Sequence, residues 1–353
     1  MKKLCFLLFI AAASLSFRIF DTIAFDLSAS NLTQNWTTIG SITANDDWSG
    51  ISSIQGFRGD GLAGATGVDP QTILVADDPG VIDINANQTN PNTFATGGVT
   101  EFHITDPVVA LSGSGTARAP YIKIYLNTSS RTNITVQYNL RDIDGSTDNA
   151  VQPVALQYRV GNTGTFTNIA AAFVADATSG PSLATLVTPV SATLPAGCNN
   201  QALVELRIMT TDAVGNDEWV GIDDINISSD ANIPAPTTTS ISPNSAIAGD
   251  PGFTLTVNGT DFINTLSTVT WNGVDRTTTF VSATQLTATI PATDISAAGT
   301  ALVGVTTTGA PASSNTQSFT IIAPGVPTLT LTTPLPSFGN ICINTTTGTN
   351  SFY

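Results

Sequence analysis

What most constrains the fold is alternation: short runs switch between apolar and polar residues with period two and then break at turns. Tyr121-Ile122-Lys123-Ile124-Tyr125-Leu126 does this, as do Asn133–Tyr138 and Leu203–Met209. Successive side chains on a strand point to opposite faces, so such runs predict strands with two unlike faces. Further strands are predicted at Trp36–Ile42, Thr72–Ala76, Val81–Ile84, Val154–Val160, Phe166–Ile169 and Trp219–Ile227, while glycine-rich Gly56–Gly67 reads as irregular. No window carries the 3.6-residue period of an amphipathic helix. Charged residues are only 10 % of the chain, and Thr, Ser, Asn and Gly stand in their place. Thr and Val suit pleated strands, and Gly and Asn suit their connections. The expected fold class is all-β: antiparallel two-sheet sandwiches in a chain of 353 residues, enough for two or three domains.

Charge and the N-terminus narrow the setting. The net charge is −15, and of the lysines only Lys123 lies outside the first three residues. Nucleic-acid binding needs clustered cations, so no direct nucleic-acid partner is expected. Met1-Lys2-Lys3, apolar Leu4–Ala13 and the small residues after them form a secretion leader. Residues 1–24 are read as a signal peptide, with secreted, extracellular or cell-surface localisation. The apolar run is too short to span a bilayer, and no transmembrane segment is expected. Cys5 leaves with the leader, and Cys198 and Cys342 are read as separate thiols in different modules.

Residues 25–230 read as the first module. Asn35-Trp36, Asp46-Asp47-Trp48, Tyr121–Leu126 and the closing Gly221-Ile222-Asp223-Asp224-Ile225 resemble the jelly-roll modules of extracellular proteins, MAM-like domains in particular. They also resemble the accessory jelly-roll of some secreted bacterial nucleases. The resemblance implies a jelly-roll β-sandwich.

Within the closing strand, Val220 and Ile222 share one parity and Ile225 and Ile227 the other. A regular strand cannot send all four inward. Either both faces are buried or a bulge at Asp223-Asp224 resets the register. A bulge would aim one aspartate outward, which makes Asp223 and Asp224, with Asp217 or Glu218 and with Asp46 or Asp47, a candidate calcium site. The competing reading is an acid pair solvating the bulge. A second acid run, Asp142-Ile143-Asp144-Gly145-Ser146-Thr147-Asp148-Asn149, opens like a calcium loop but has Pro153 where an EF-hand carries its glutamate. The Asp-Gly pair makes a plain turn the leading reading.

Residues 231–239 form a Pro-stiffened linker. Ser240–Ala246, Phe253–Phe262, Val269-Thr270-Trp271-Asn272-Gly273, Val281–Pro291, Ala301–Val305 and Ser318–Ile321 then resemble an IPT/TIG domain at about 236–322, with its body at 240–322. The resemblance implies an immunoglobulin-like sandwich of roughly seven strands. The alternating Phe253, Leu255 and Val257 and the Asn272-Gly273 hairpin point the same way independently. Residues 323–353 read as a linker and the opening of a further Ig-like repeat.

His103 is the only histidine. It reads as structural, which leaves no HExxH site and no histidine pair. The functional expectation is a secreted, non-catalytic binding or adhesion protein with a glycan or cell-surface protein ligand and the Ig-like module as spacer. The alternatives are an accessory segment of a longer secreted hydrolase and a glycosidase working on the first module.

Overall fold

The computed structural model describes residues 23–75, 81–145, 150–178 and 186–325. Residues 1–22 of the expected leader, 76–80, 146–149, 179–185 and those from 326 on, with Cys342, lie outside the described residues. The chain divides into two compact units between Ile233 and Pro234. Among the described residues no helix is long and apolar enough to cross a membrane.

Among the described residues, thirteen strands build the first unit: β1 (Phe25–Asp26), β2 (Leu32–Gln34), β3 (Ile54–Phe57), β4 (Asn85–Gln88), β5 (Gly98–Phe102), β6 (Val108–Ser112), β7 (Tyr121–Asn127), β8 (Arg131–Asp142), β9 (Ala155–Val160), β10 (Thr167–Asn168), β11 (Val187–Thr193), β12 (Val204–Met209) and β13 (Val220–Ala231). One sheet runs β1-β7-β12-β9-β10, with β3 also on β7; the other runs β11-β8-β13-β6-β5-β4, with β2 on β13. The pairs β1/β7 and β4/β5 are parallel, a departure from the wholly antiparallel expectation.

The alternation explains the core. Ile122, Ile124 and Leu126 of β7 and Leu206 and Ile208 of β12 pack with Val136 and Leu140 of β8 and Ile222 and Ile227 of β13. Each such side chain contributes roughly 1.5–3 kcal/mol when fully buried. The polar face of the first sheet is buried too, which alternation alone does not foresee. Phe57 and Tyr121 stack there at 5.0 Å and share a small core with Ala63 and Ile73 of the segment that follows β3. Arg207 is 0 % exposed and donates to Ile73 O at 2.6 Å and Gln157 Oε1 at 2.8 Å. Gln157 Nε2 donates in turn to the carbonyls of Pro70 and Ile73. The glycine-rich stretch therefore begins as strand β3 and continues as a cover over this face.

Three sequence expectations shift, those at Trp36–Ile42, Thr72–Ala76 and Val81–Ile84. Trp36–Ile42 is no strand: Trp36 has φ +55°, and its indole N–H donates to Ile222 O at 2.7 Å. The ring sits edge-on to Trp48 at 6.4 Å, so this segment plugs the sandwich. Pro70–Thr72 is a 3-10 turn, and Ile82 makes only an isolated bridge to Phe57. The strands β1, β2, β4, β6 and β11 were not foreseen.

The closing strand contains the bulge. The register of β13 against β8 shifts between Asp223 and Asn226, and Asp224 has φ +48°. Ile222 and Ile225 are both buried although they differ in parity, and Asp224 is exposed.

The second unit holds β14 (Thr237–Ser242), β15 (Ser245–Ile247), β16 (Phe253–Thr260), β17 (Ser267–Trp271), β18 (Val274–Asp275), β19 (Thr278–Ser282), β20 (Gln285–Ile290), β21 (Gly299–Thr307) and β22 (Gln317–Ile322). Its sheets run β14-β16-β20-β19 and β15-β22-β21-β17-β18. Leu255, Val257, Trp271, Leu286, Val303 and Phe319 fill the space between them. Asn272 and Gly273 have φ +52° and +80°, as a primed hairpin turn requires. Gly259 has another constraint: a Cβ there would lie 1.9 Å from Thr237 O, so only glycine lets β14 and β16 approach.

Candidate functional site

Val220 at the start of β13 pairs with Leu111 of β6 and with Asp142 of β8. The segments after β6 and β8 and the segment before β13 therefore emerge at the same end of the first unit. They enclose a cleft of about 390 Å³ with residues 91–95 as its remaining wall. Asn216, Asp217 and Trp219 of the closing stretch line it, opposite Asn92, Phe94 and Asp144. The two acid runs that the sequence set apart thus meet here.

Aromatic packing fixes the wall. Trp219 packs on Phe94 at 5.8 Å and edge-on to Phe102 at 5.0 Å, and its indole N–H donates to Phe94 O at 3.0 Å. Trp219 is buried, so the half-buried Phe94 is the ring nearer solvent. Asn92 Oδ1 accepts from Gly145 N at 2.8 Å, tying this wall to the loop after β8.

Asp217 is held from two sides. Its Oδ1 accepts from Ala213 N at 2.8 Å and Gln152 Nε2 at 3.0 Å. Burial, with Asp212 adding repulsion, pushes its carboxyl up to about 6. Neighbouring Asp212 is paired with Arg118 at 2.6 Å.

Further acids lie behind the wall. Glu218 is buried, and its Oε1 accepts from Ala150 N at 3.0 Å. Burial raises it to about 7, and Asp142 and Asp144 add to the shift. Asp142 is 1 % exposed; one carboxylate oxygen accepts from Asp144 N, and Oδ2 has no hydrogen-bond partner. Burial raises Asp142 to about 6, with Asp144 and Asp176 contributing.

The aspartates of the expected cation site do not converge. Asp46 accepts from Ile84 N at 3.3 Å, and Asp47 accepts from Ser49 N at 2.9 Å, both in the loop before β3. Asp223 is ion-paired with Arg141 at 2.6 Å, and Asp224 accepts from Asn139 Nδ2 at 2.9 Å on the outer face of β13. Asp217 stands apart from both groups, in the cleft. Among the described residues no three His, Cys, Asp or Glu side chains form a ready metal centre. The physical reason is the bulge: it turns Asp224 to solvent while Asp223 meets a cation already supplied by β8. His103 Nε2 lies 3.0 Å from Glu101 Oε2, and Cys198 is a buried free thiol, raised to about 11 by burial. Neither reaches the cleft wall.

Phe94 and Asn92 were missed in the sequence because they lie in Asn90–Ala95, where no period marks them. Asp83 was missed as an isolated acid beside Ile82 and Ile84.

With fold and cleft defined, the second unit can be assigned: residues 236–321 are an IPT/TIG domain. No curated protein matches the chain. Among solved structures, the K2 cleaved adhesin domain of Lys-gingipain is 14 % identical, covering 57 % of this chain and 98 % of its own, with a TM-score of 0.30. A non-crystalline-cellulose-specific carbohydrate-binding module, CBM28, is 11 % identical over 40 % of this chain and 86 % of its own, with a TM-score of 0.27. A gamma-CGTase from alkalophilic Bacillus clarkii is 14 % identical over 64 % of this chain, which spans 26 % of that enzyme, with a TM-score of 0.21. Likenesses with scores this low carry no argument about ligand or activity.

Proposed function

We propose that the first unit is a non-catalytic binding module of a secreted or cell-surface protein, that its ligand is a glycan, and that the IPT/TIG domain serves as spacer. The observation that carries this reading is the lining of the end cleft. Phe94 offers an aromatic ring, and Asn92, Asn216 and Asp217 line the same cleft with amide and carboxylate groups. Sugars present apolar C–H faces and rings of hydroxyls, so an aromatic platform with a few convergent polar groups suits them. The leader supports the export, and the net charge of −15 supports an uncharged or cationic ligand over an anionic one.

A panel of immobilised glycans probed with the whole chain tests the proposal. Binding to at least one glycan is expected, with loss in Phe94→Ala and Asn216→Ala and retention in Asn139→Ala, which lies on β8 away from the cleft. Absence of binding across a broad panel, or binding indifferent to Phe94 and Asn216, contradicts it. Release of reducing ends during the incubation would replace binding by hydrolysis.

A further inference from the structure

Buried polar groups gather at three further places in the first unit: the covered face of the first sheet, the His103–Glu101 pair, and the acids behind the cleft. The covered face is explained by the carbonyls of Pro70 and Ile73 that it binds. Glu101 is explained by Asn87 N, which donates to its Oε2 at 3.1 Å. Of the acids behind the cleft, Asp142 is not explained in this way.

Asp142 sits at the C-terminal end of β8 and Glu218 just before β13, with Val220 of β13 directly across from Asp142. Both carboxylates are buried, at 1 % and 2 % exposure. Glu218 is hydrogen-bonded by Ala150 N and by the Thr178 side chain, but Asp142 Oδ2 has no hydrogen-bond partner at all. A buried carboxylate oxygen left unpaired carries its full desolvation penalty, so native folds rarely keep one without a partner. Neither Arg118, on Asp212, nor Arg141, on Asp223, is hydrogen-bonded to Asp142 or Glu218.

We infer that Asp142 and Glu218 hold a divalent cation of the calcium class, with Asp142 Oδ2 as its principal ligand. Calcium is a hard ion that takes six to eight oxygens, backbone and amide carbonyls among them, so two carboxylates suffice as its charged ligands. The site ties the end of β8 to the start of β13 and so fixes the cleft wall carrying Trp219. It is distinct from Asp223–Asp224, whose charges are met by Arg141 and Asn139. It does not depend on what occupies the cleft.

The test uses the full chain stripped with EDTA and titrated with calcium chloride by calorimetry, with thermal unfolding recorded before and after. One calcium is expected to bind, with a rise in melting temperature by mass action on the folded state. Asp142→Asn should weaken binding by about tenfold or more and abolish that rise. Its metal-free melting temperature should equal or exceed that of the wild type, because a buried charge has been removed. Asp224→Asn should bind calcium as the wild type does. If Asp142→Asn does not fold, Glu218→Gln reads the same loss. Absence of heat and of a melting shift in the wild type overturns the inference, as does undiminished binding in Asp142→Asn and Glu218→Gln.

Discussion

Arg207 shows what single residues contribute here. Its guanidinium is fully buried, lies 3.9 Å from the Phe166 ring centroid and donates to Ile73 O and Gln157 Oε1. Truncation would leave Gln157 Oε1 without this donor and Ile73 O with Gln157 Nε2 alone, in a site closed to water. Arg207→Ala is therefore expected to destabilise the first unit by roughly 2–5 kcal/mol, from the cavity and the lost hydrogen bonds, read from denaturant unfolding of the chain. A loss below 1 kcal/mol would show that the covering segment is not held through this residue. Asp83 makes a different case. Burial pushes its carboxyl from 3.8 up to about 6, even though Val99 N donates to it at 2.6 Å. The fold thus binds this proton more tightly than the unfolded chain does. The ionised form costs stability, so the cost is absent below about pH 4 and complete above about pH 6. As pH rises through that window, Asp83→Asn should gain stability relative to the wild type, by up to roughly 3 kcal/mol. Melting curves of both proteins at several pH values check this; a gap independent of pH would refute it.

Among the elements, β13 was the most legible from sequence, because parity is a hard constraint. Four apolar residues of mixed parity demanded either two buried faces or a bulge, and the shift after Asp223 is that bulge. Asp224 occupies the left-handed region at φ +48°, which a β-branched side chain enters only with strain. Asp224→Val should cost about 1–2 kcal/mol, whereas Asp224→Asn, which tolerates this backbone and can still pair with Asn139, should cost little. Equal stability of the two variants in chemical denaturation would argue against a strained bulge. Other elements were hidden for identifiable reasons. Val108-Val109-Ala110-Leu111-Ser112 is apolar on both faces, and its strand β6 lies buried in mid-sheet, so it shows no alternation. Trp36–Ile42 carries strand-forming residues but is fixed by the Trp36 indole bond to Ile222 O, a contact across 186 positions that no local pattern reveals.

For the whole molecule, two all-β units and the IPT/TIG assignment at residues 236–321 follow from short-range patterns: alternating cores, the Asn272-Gly273 turn and the spacing of the later strands. The candidate site follows from topology instead. Asp144 and Asp217 are far apart in sequence and meet only because β8 and β13 are antiparallel neighbours with Asp142 across from Val220. Sequence reading picked out both acid runs but grouped Asp217 with Asp46, Asp47, Asp223 and Asp224, since nothing local records which strands pair. The central claim is that the first unit binds its ligand at this end cleft. Amide hydrogen exchange of the whole chain, with and without the glycan found on the panel, tests it most directly. Binding in the cleft should slow exchange at residues 92–95, 112–114 and 215–219 and leave residues 236–321 unchanged. Protection confined to the IPT/TIG domain, or to the outer face around Asn139 and Asp224, would contradict the claim.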